Sequence, residues 1–279
     1  MAPWPERCAA ALERLRRQKP LVHQITNFVV MNDTANVTLH IGALPVMAHA
    51  AEEVVDMVEL AGSLVLNLGT LSTPWLEAMR LAAAAANRSS IPLVLDPVGA
   101  GATAFRSQQT LRFLTDFRVA ILRGNLGEIA SLCGIEAEVR GVEAVSAAQS
   151  PADVATEAAR RFHLTAVVSG ATDWVSDGER LVAVDNGHWW LTTLTGTGCS
   201  VTALVGAFVA VCPDAVEAAV AGSTSMGLAA EQAATVAQGP GSFKVALQDA
   251  IYHLSPDAIR KLAQIRDLTP ESPSGTGQL

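Results

Sequence analysis

The 279-residue chain contains only three lysines, Lys19, Lys244 and Lys261, and only 16% of its residues are charged. With a net charge of −8, it lacks the basic surface that binds polyanions without sequence preference, so nucleic acid is not an expected partner. The four cysteines, Cys8, Cys133, Cys199 and Cys212, show no CxxC spacing. Neither a zinc ribbon nor a disulfide framework is indicated, and free thiols of this kind suit a reducing cytoplasm. None of the six histidines forms an HExxH pair, which excludes that zinc-protease pattern. Also missing are a GxSxG nucleophile elbow and a GxxxxGK(S/T) phosphate loop, so a nucleotide would have to bind by another route. Residues 1–20 read as a charged helix without an apolar core, and no secretory leader is expected. The longest alanine-rich run, Leu81 to Ala86, is too short to span a bilayer. The expectation is a cytoplasmic protein with no membrane partner.

What the chain does have is apolar bulk: half its residues are hydrophobic, with alanine and valine dominant. Apolar runs that end in polar residues predict buried parallel strands at Leu21 to Gln24, Ser63 to Leu68, Pro92 to Asp96, Arg118 to Leu122 and Thr165 to Ser169. Pro45 to Met47 reads as another extended segment. Helical patterns lie between them: residues 4–18, ended by Pro20; Asn32 to Ile41; and a helix capped by Thr73, with Pro74 at its first position, running to about Asn87. Trp174 to Trp190 predicts two or three short antiparallel strands, with Asp177-Gly178 and Asn186-Gly187 as turns. From Thr197 onward the pattern is nearly all helix. Strands alternating with helices predict a doubly wound three-layer αβα sandwich. Residues 1–266 read as one domain and 267–279, rich in Pro, Ser and Gly, as a disordered tail.

In such a fold, ligands bind beyond the carboxyl ends of the strands. Polar residues collect there: Asn67 and Gly69, Asp96, Arg123 and Asn125, Ser169 and Gly170. Thr195-Gly-Thr-Gly-Cys199 precedes an apolar helix. A helix N-terminus offers free N–H groups and a partial positive charge, and glycines let an anion approach. Gly196, Thr197 and Gly198 therefore read either as an anion pocket with Cys199 at its mouth or as a tight turn before a core helix. Asp96 precedes a glycine loop, and Glu128 sits on the first turn of a helix begun near Asn125. Carboxylates so placed can hold Mg²⁺ directly or through water, or they can cap and stabilise the neighbouring helices and loops. An early polar group, His23 to Asn27 with Met31 to Asn36, includes Asp33, which reads first as an N-cap residue. The histidines read as hydrogen-bonded core or surface groups.

Val22-His-Gln-Ile-Thr-Asn-Phe-Val29, Met31-Asn-Asp33, Gly42-Ala-Leu-Pro-Val-Met47, Leu95-Asp-Pro-Val-Gly99, Arg123-Gly-Asn125, Asp185-Asn-Gly-His188, Thr195-Gly-Thr-Gly-Cys199 and Gly239-Pro-Gly-Ser-Phe-Lys244 closely resemble the hydroxyethylthiazole kinase family. These motifs span about residues 20–255 in the family's order. The resemblance implies a ribokinase-like fold and ATP- and Mg²⁺-dependent phosphorylation of 4-methyl-5-(2-hydroxyethyl)thiazole in thiamine salvage. It also implies a homotrimer with the thiazole site at subunit contacts. It assigns Met47, Gly196 and Asn27 to the thiazole pocket, Arg123 and Ser169 to the nucleotide, and Asp96 and Glu128 to magnesium. Thr197 and Gly198 would offer backbone N–H groups to the phosphates. Cys199 stands where related sugar kinases keep an aspartate base, and its thiol pKa is expected to be lowered by the helix N-terminus. The chain departs from the family pattern at Gln24 (commonly Cys), at Leu126-Gly127, and at His49, where an acidic residue is frequent. Alternatives are a kinase of a hydroxymethyl-pyrimidine or pyridoxal, a repair dehydratase of hydrated nicotinamide cofactors, and a non-catalytic thiazole-binding protein.

Overall fold

Nine strands form one mixed sheet in a computed structural model that describes residues 2–135, 137–140, 143–147 and 149–270. The strands are β1 (Leu21–Ile25), β2 (Leu44–Val46), β3 (Ser63–Asn67), β4 (Leu93–Asp96), β5 (Ile121–Asn125), β8 (Thr165–Ser169), β9 (Asp173–Ser176), β10 (Leu181–Val184) and β11 (Ile265–Asp267). A separate hairpin joins β6 (Ala137–Arg140) and β7 (Glu143–Ala147). Across the main sheet the order is β11-β10-β9-β8-β5-β4-β3-β1-β2. The six strands from β2 to β8 run parallel, and β9, β10 and β11 are antiparallel additions at one edge.

Strand side chains alternate between two cores, because successive residues point to opposite faces of a sheet. Val22, Val65, Val94, Ile121 and Val167 face one core. It is completed by α1 (Trp4–Gln18), α2 (Met31–Ile41), α8 (Thr197–Val209), α9 (Ala215–Ala234), α10 (Pro240–His253) and α11 (Pro256–Leu262). Ile25, Leu64, Leu66, Leu93, Leu95, Leu122 and Val168 face the other. That side is covered by α3 (Val54–Leu60), α4 (Thr73–Arg88), α5 (Ala104–Asp116), α6 (Leu126–Leu132) and α7 (Pro151–Phe162). This is the doubly wound three-layer α/β sandwich expected from the alternating pattern.

Several boundaries differ from the sequence expectation, each for a physical reason. β5 begins three residues later than Arg118 and continues to Asn125, because it pairs with β8 through Arg123↔Val167 and Asn125↔Ser169. Arg123 is therefore a strand residue, not a loop residue. Ser72, not Thr73, is the N-cap of α4, and its side chain makes no capping bond. Asp33 caps nothing: Val30 is the N-cap of α2, and Asp33 pairs with Lys244 of α10 at 2.8 Å. The third antiparallel strand comes from β11, while Trp189–Thr193 is a 3₁₀ turn. Asn186-Gly187 is not a hairpin turn. The Asn186 amide reaches Glu231 (3.1 Å) and the Leu262 carbonyl (3.1 Å), and Gly187 N–H also reaches Glu231. Asp267, the first residue of the expected tail, pairs with Val182 in β11; residues 271–279 lie outside the described residues.

Candidate active site

The chain runs from β1 through α2 to β2 on one side of β1, then from β2 through α3 back to β3 on the other side, and α2 and α3 cover opposite faces of the sheet. A crevice opens beyond the carboxyl ends of strands at such a switch point. Asn27 follows β1 and Asn67 ends β3, and the Asn27 amide donates to Asn67 Oδ1 at 2.8 Å. Asn67 in turn donates to Asp96 Oδ2 at 2.8 Å, at the end of β4. Thr202 of α8 donates to the same oxygen, also at 2.8 Å. Asn27 lies 3.7 Å from Cys199 Sγ. Three strand ends and one helix are thus joined by one buried polar chain, as buried polar groups require.

α8 enters this cluster N-terminus first. Its N-cap, Gly196, has φ 88°, a left-handed conformation that side chains rarely adopt and that turns the chain into the helix. At Gly198 the absence of a Cβ is a matter of space: one would lie 2.7 Å from Arg123 Nη1. The Arg123 guanidinium therefore lies against the first turn of α8. Arg123 is only 8% exposed, and its Nε is buried with no hydrogen-bond partner. Among the described residues its side chain donates no hydrogen bond and makes no ion pair within 4.0 Å. Asp96, Glu128 and Asp173 each feel its charge, which favours their ionised forms.

Burial dominates the acid–base character of the site. It raises Asp96 above the usual carboxylate range, against the opposing effects of Arg123, Thr202 and Asn67. Burial and the neighbouring Asp96 push Glu128 up to about 7. Two buried carboxylates that repel each other are a place where a cation is favourable. Glu128 has a second task. It accepts from Gly99 N–H (2.8 Å) and from Asn125 N–H (2.9 Å), while Asn125 Oδ1 accepts from Glu128 N–H (2.9 Å). That reciprocal capping box starts α6 and ties it to the loop after β4. The capping reading of Glu128 therefore holds. Among the described residues, no three His, Cys, Asp or Glu side chains form a group that could hold a metal on their own.

Cys199 corrects the expectation of a lowered thiol. Burial, then the Asp96 charge, push it up to about 12, outweighing Asn67, Arg123 and Asn27. The site presents a neutral thiol, not a thiolate. The hydrogen-bonded cluster does not include Met47, Ser169, Gly196 or Thr197. Met47 follows β2 and is half-buried. Ser169 donates to the Gly124 carbonyl at 3.2 Å, and Thr197 donates back to Leu191 at 3.0 Å. Thr202 was missed from sequence, although it lies three residues beyond Cys199 on α8. Asp173 was also missed; its side chain accepts from Gly170 N–H at 3.1 Å.

A model of the hydroxyethylthiazole kinase family matches residues 12–257. The chain belongs to the hydroxyethylthiazole kinase family. A hydroxyethylthiazole kinase of Chloroflexus aggregans is 56% identical over 273 residues, 98% of each chain. The structure of a hydroxyethylthiazole kinase from Pyrococcus horikoshii OT3 superposes with a TM-score of 0.86 at 45% identity, covering 94% of this chain and 98% of that one. A ribokinase-like superfamily protein from Enterococcus faecalis V583 superposes with a TM-score of 0.62 at 12% identity, over 88% of this chain and 89% of that one. That last likeness concerns the fold alone, and the fold is ribokinase-like.

Proposed function

We propose that this chain transfers a phosphoryl group from ATP to the primary hydroxyl of 4-methyl-5-(2-hydroxyethyl)thiazole, as a thiamine-salvage enzyme of the cytoplasm. The observation that carries the reading is Arg123: a buried guanidinium with no ion-pair partner among the described residues, set against the glycine turn that opens α8. A strand-held arginine and a helix N-terminus together suit phosphate oxygens. Gly196, Thr197 and Gly198 offer N–H groups to them, and Ser169 lies on the neighbouring strand for the nucleotide. Asn27, Met47 and Gly196 frame the thiazole.

Asp96 and Glu128 would hold a magnesium ion, directly or through water. Two carboxylates suffice for that coordination, and their mutual repulsion is then relieved. When bound, Mg²⁺ supplies charge neutralisation on the transferring group. The protein's own part is positioning and electrostatics, which provide most of the acceleration when the transition state is loose. Cys199, as a neutral thiol beside Asp96, lines the acceptor pocket and in that form does not take the hydroxyl proton. Asp96→Asn should lower kcat by roughly 10²-fold or more while changing thiazole affinity little. Equal kcat in variant and wild type at saturating Mg²⁺ would remove Asp96 from the metal site.

A homotrimer is the assembly this reading carries. Phe28 and Val29, each 64% exposed beside the site, are the apolar surface that a second copy would cover. Light scattering at micromolar concentration should give three times the chain mass; a monomer mass would refute it.

A further inference from the structure

His23, the third residue of β1, is fully buried and pairs through its backbone with Val46 of β2 and Leu64 of β3. Its Nε2 lies 2.6 Å from the Ala48 carbonyl oxygen. A carbonyl only accepts, so Nε2 carries the hydrogen. Nδ1 is then a lone-pair nitrogen, buried without a hydrogen-bond partner among the described residues. Burial lowers the imidazole pKa, consistent with a neutral donor. The β1–β2 pairing ends at Val46. Beyond it, residues 47–49 have no strand ladder to fix them, and the His23 bond takes that role. On the other side, the His49 ring stacks on Trp75 with centroids 4.3 Å apart. Trp75 is tied to the Thr26 carbonyl at 3.2 Å, one residue before Asn27.

We propose that His23 is a positioning residue: by donating Nε2–H to the Ala48 carbonyl, it fixes the segment that carries Met47 and so the thiazole side of the pocket. The inference rests on the reading that Met47 contacts the thiazole. A merely structural histidine would affect stability and both substrates alike. A positioning one should act on the thiazole alone and only through Met47.

The test is a double-mutant cycle read in steady-state kinetics with the thiazole alcohol and ATP. His23→Leu should raise the thiazole KM about tenfold, the loss of one buried hydrogen bond. It should leave the ATP KM and kcat within about twofold. His23→Gln, whose Nε2–H reaches the same place, should restore the thiazole KM to within about twofold of wild type. In the Met47→Ala background, His23→Leu should add less than about twofold. If His23→Leu does not fold, His23→Asn, with its donor one bond short, takes its place with the same expected rise. A normal thiazole KM in the Leu or Asn variant, or a rise of the same size with and without Met47, overturns the proposal while leaving the thiazole reading intact. A Met47→Ala enzyme with unchanged thiazole KM overturns both.

Discussion

Arg123 is the residue whose surroundings are least explained by the protein alone. A buried charge is costly unless paired, and among the described residues Arg123 makes no ion pair, although Asp96 and Asp173 feel its charge. Under the proposed function, the phosphate of ATP is its partner. Arg123→Ala should raise the ATP KM roughly tenfold or more and leave thiazole affinity unchanged. Arg123→Lys should recover only part of this, because an ammonium lacks the guanidinium fork. ATP titrations that superpose for wild type and Ala variant would take Arg123 out of the nucleotide site. Cys199 is the complementary case. With its thiol pushed up to about 12, it holds almost no thiolate at neutral pH. Cys199→Ala should therefore cost less in kcat than the roughly 10²-fold at the low end of general-base catalysis. Cys199→Asp should stay active, and intact mass should reveal no phospho-enzyme. A trapped phospho-cysteine would contradict this. The residue types at this site were legible in the sequence because strand ends and a glycine-flanked helix start announce themselves. The raised thiol was not legible: it depends on burial and on Asp96 coming beside it, and those two residues lie far apart in the chain.

At the scale of elements, α8 links substrate chemistry to the sheet. Ser63 donates to the Gly206 carbonyl at 2.7 Å, and a Cβ at Gly206 would land on Val65 Cγ2. The helix therefore lies close enough for Thr202 to reach Asp96. Gly206→Ala should destabilise the protein by roughly 1–3 kcal/mol, as overpacking does. It should also lower kcat, because the displaced helix carries Thr202 and Cys199 with it. Urea unfolding and turnover measured on the same preparation check both; unchanged values in the two would show that α8 is not held this tightly. Most parallel strands were legible because strands buried on both faces read as continuous apolar runs. The start of β5 was misplaced because Arg118-Val-Ala-Ile-Leu has the same apolar look as the true strand. Only pairing with β8 selects Ile121–Asn125 and brings Arg123 into the sheet. β11 was invisible for a related reason. Ile265–Asp267 is three residues long, two of them charged, and its pairing with β10 joins segments about eighty residues apart.

At the scale of the whole molecule, two apolar cores hold a mixed sheet whose switch point opens at β1, where Asn27, Asn67 and Asp96 gather. Among the described residues, no helix is long and apolar enough to cross a membrane. The ribokinase-like frame is shared by kinases of different alcohols, so the fold does not choose the acceptor; the pocket does. The most direct measurement is kcat/KM with ATP for three acceptors in one coupled assay, with the phosphate ester identified in each case: the hydroxyethylthiazole, a hydroxymethyl-pyrimidine and pyridoxal. The account predicts that the thiazole is preferred by about 10²-fold or more, a margin that pocket contacts can supply. Equal or better turnover of either other alcohol, or no thiazole phosphate formed at all, would contradict it.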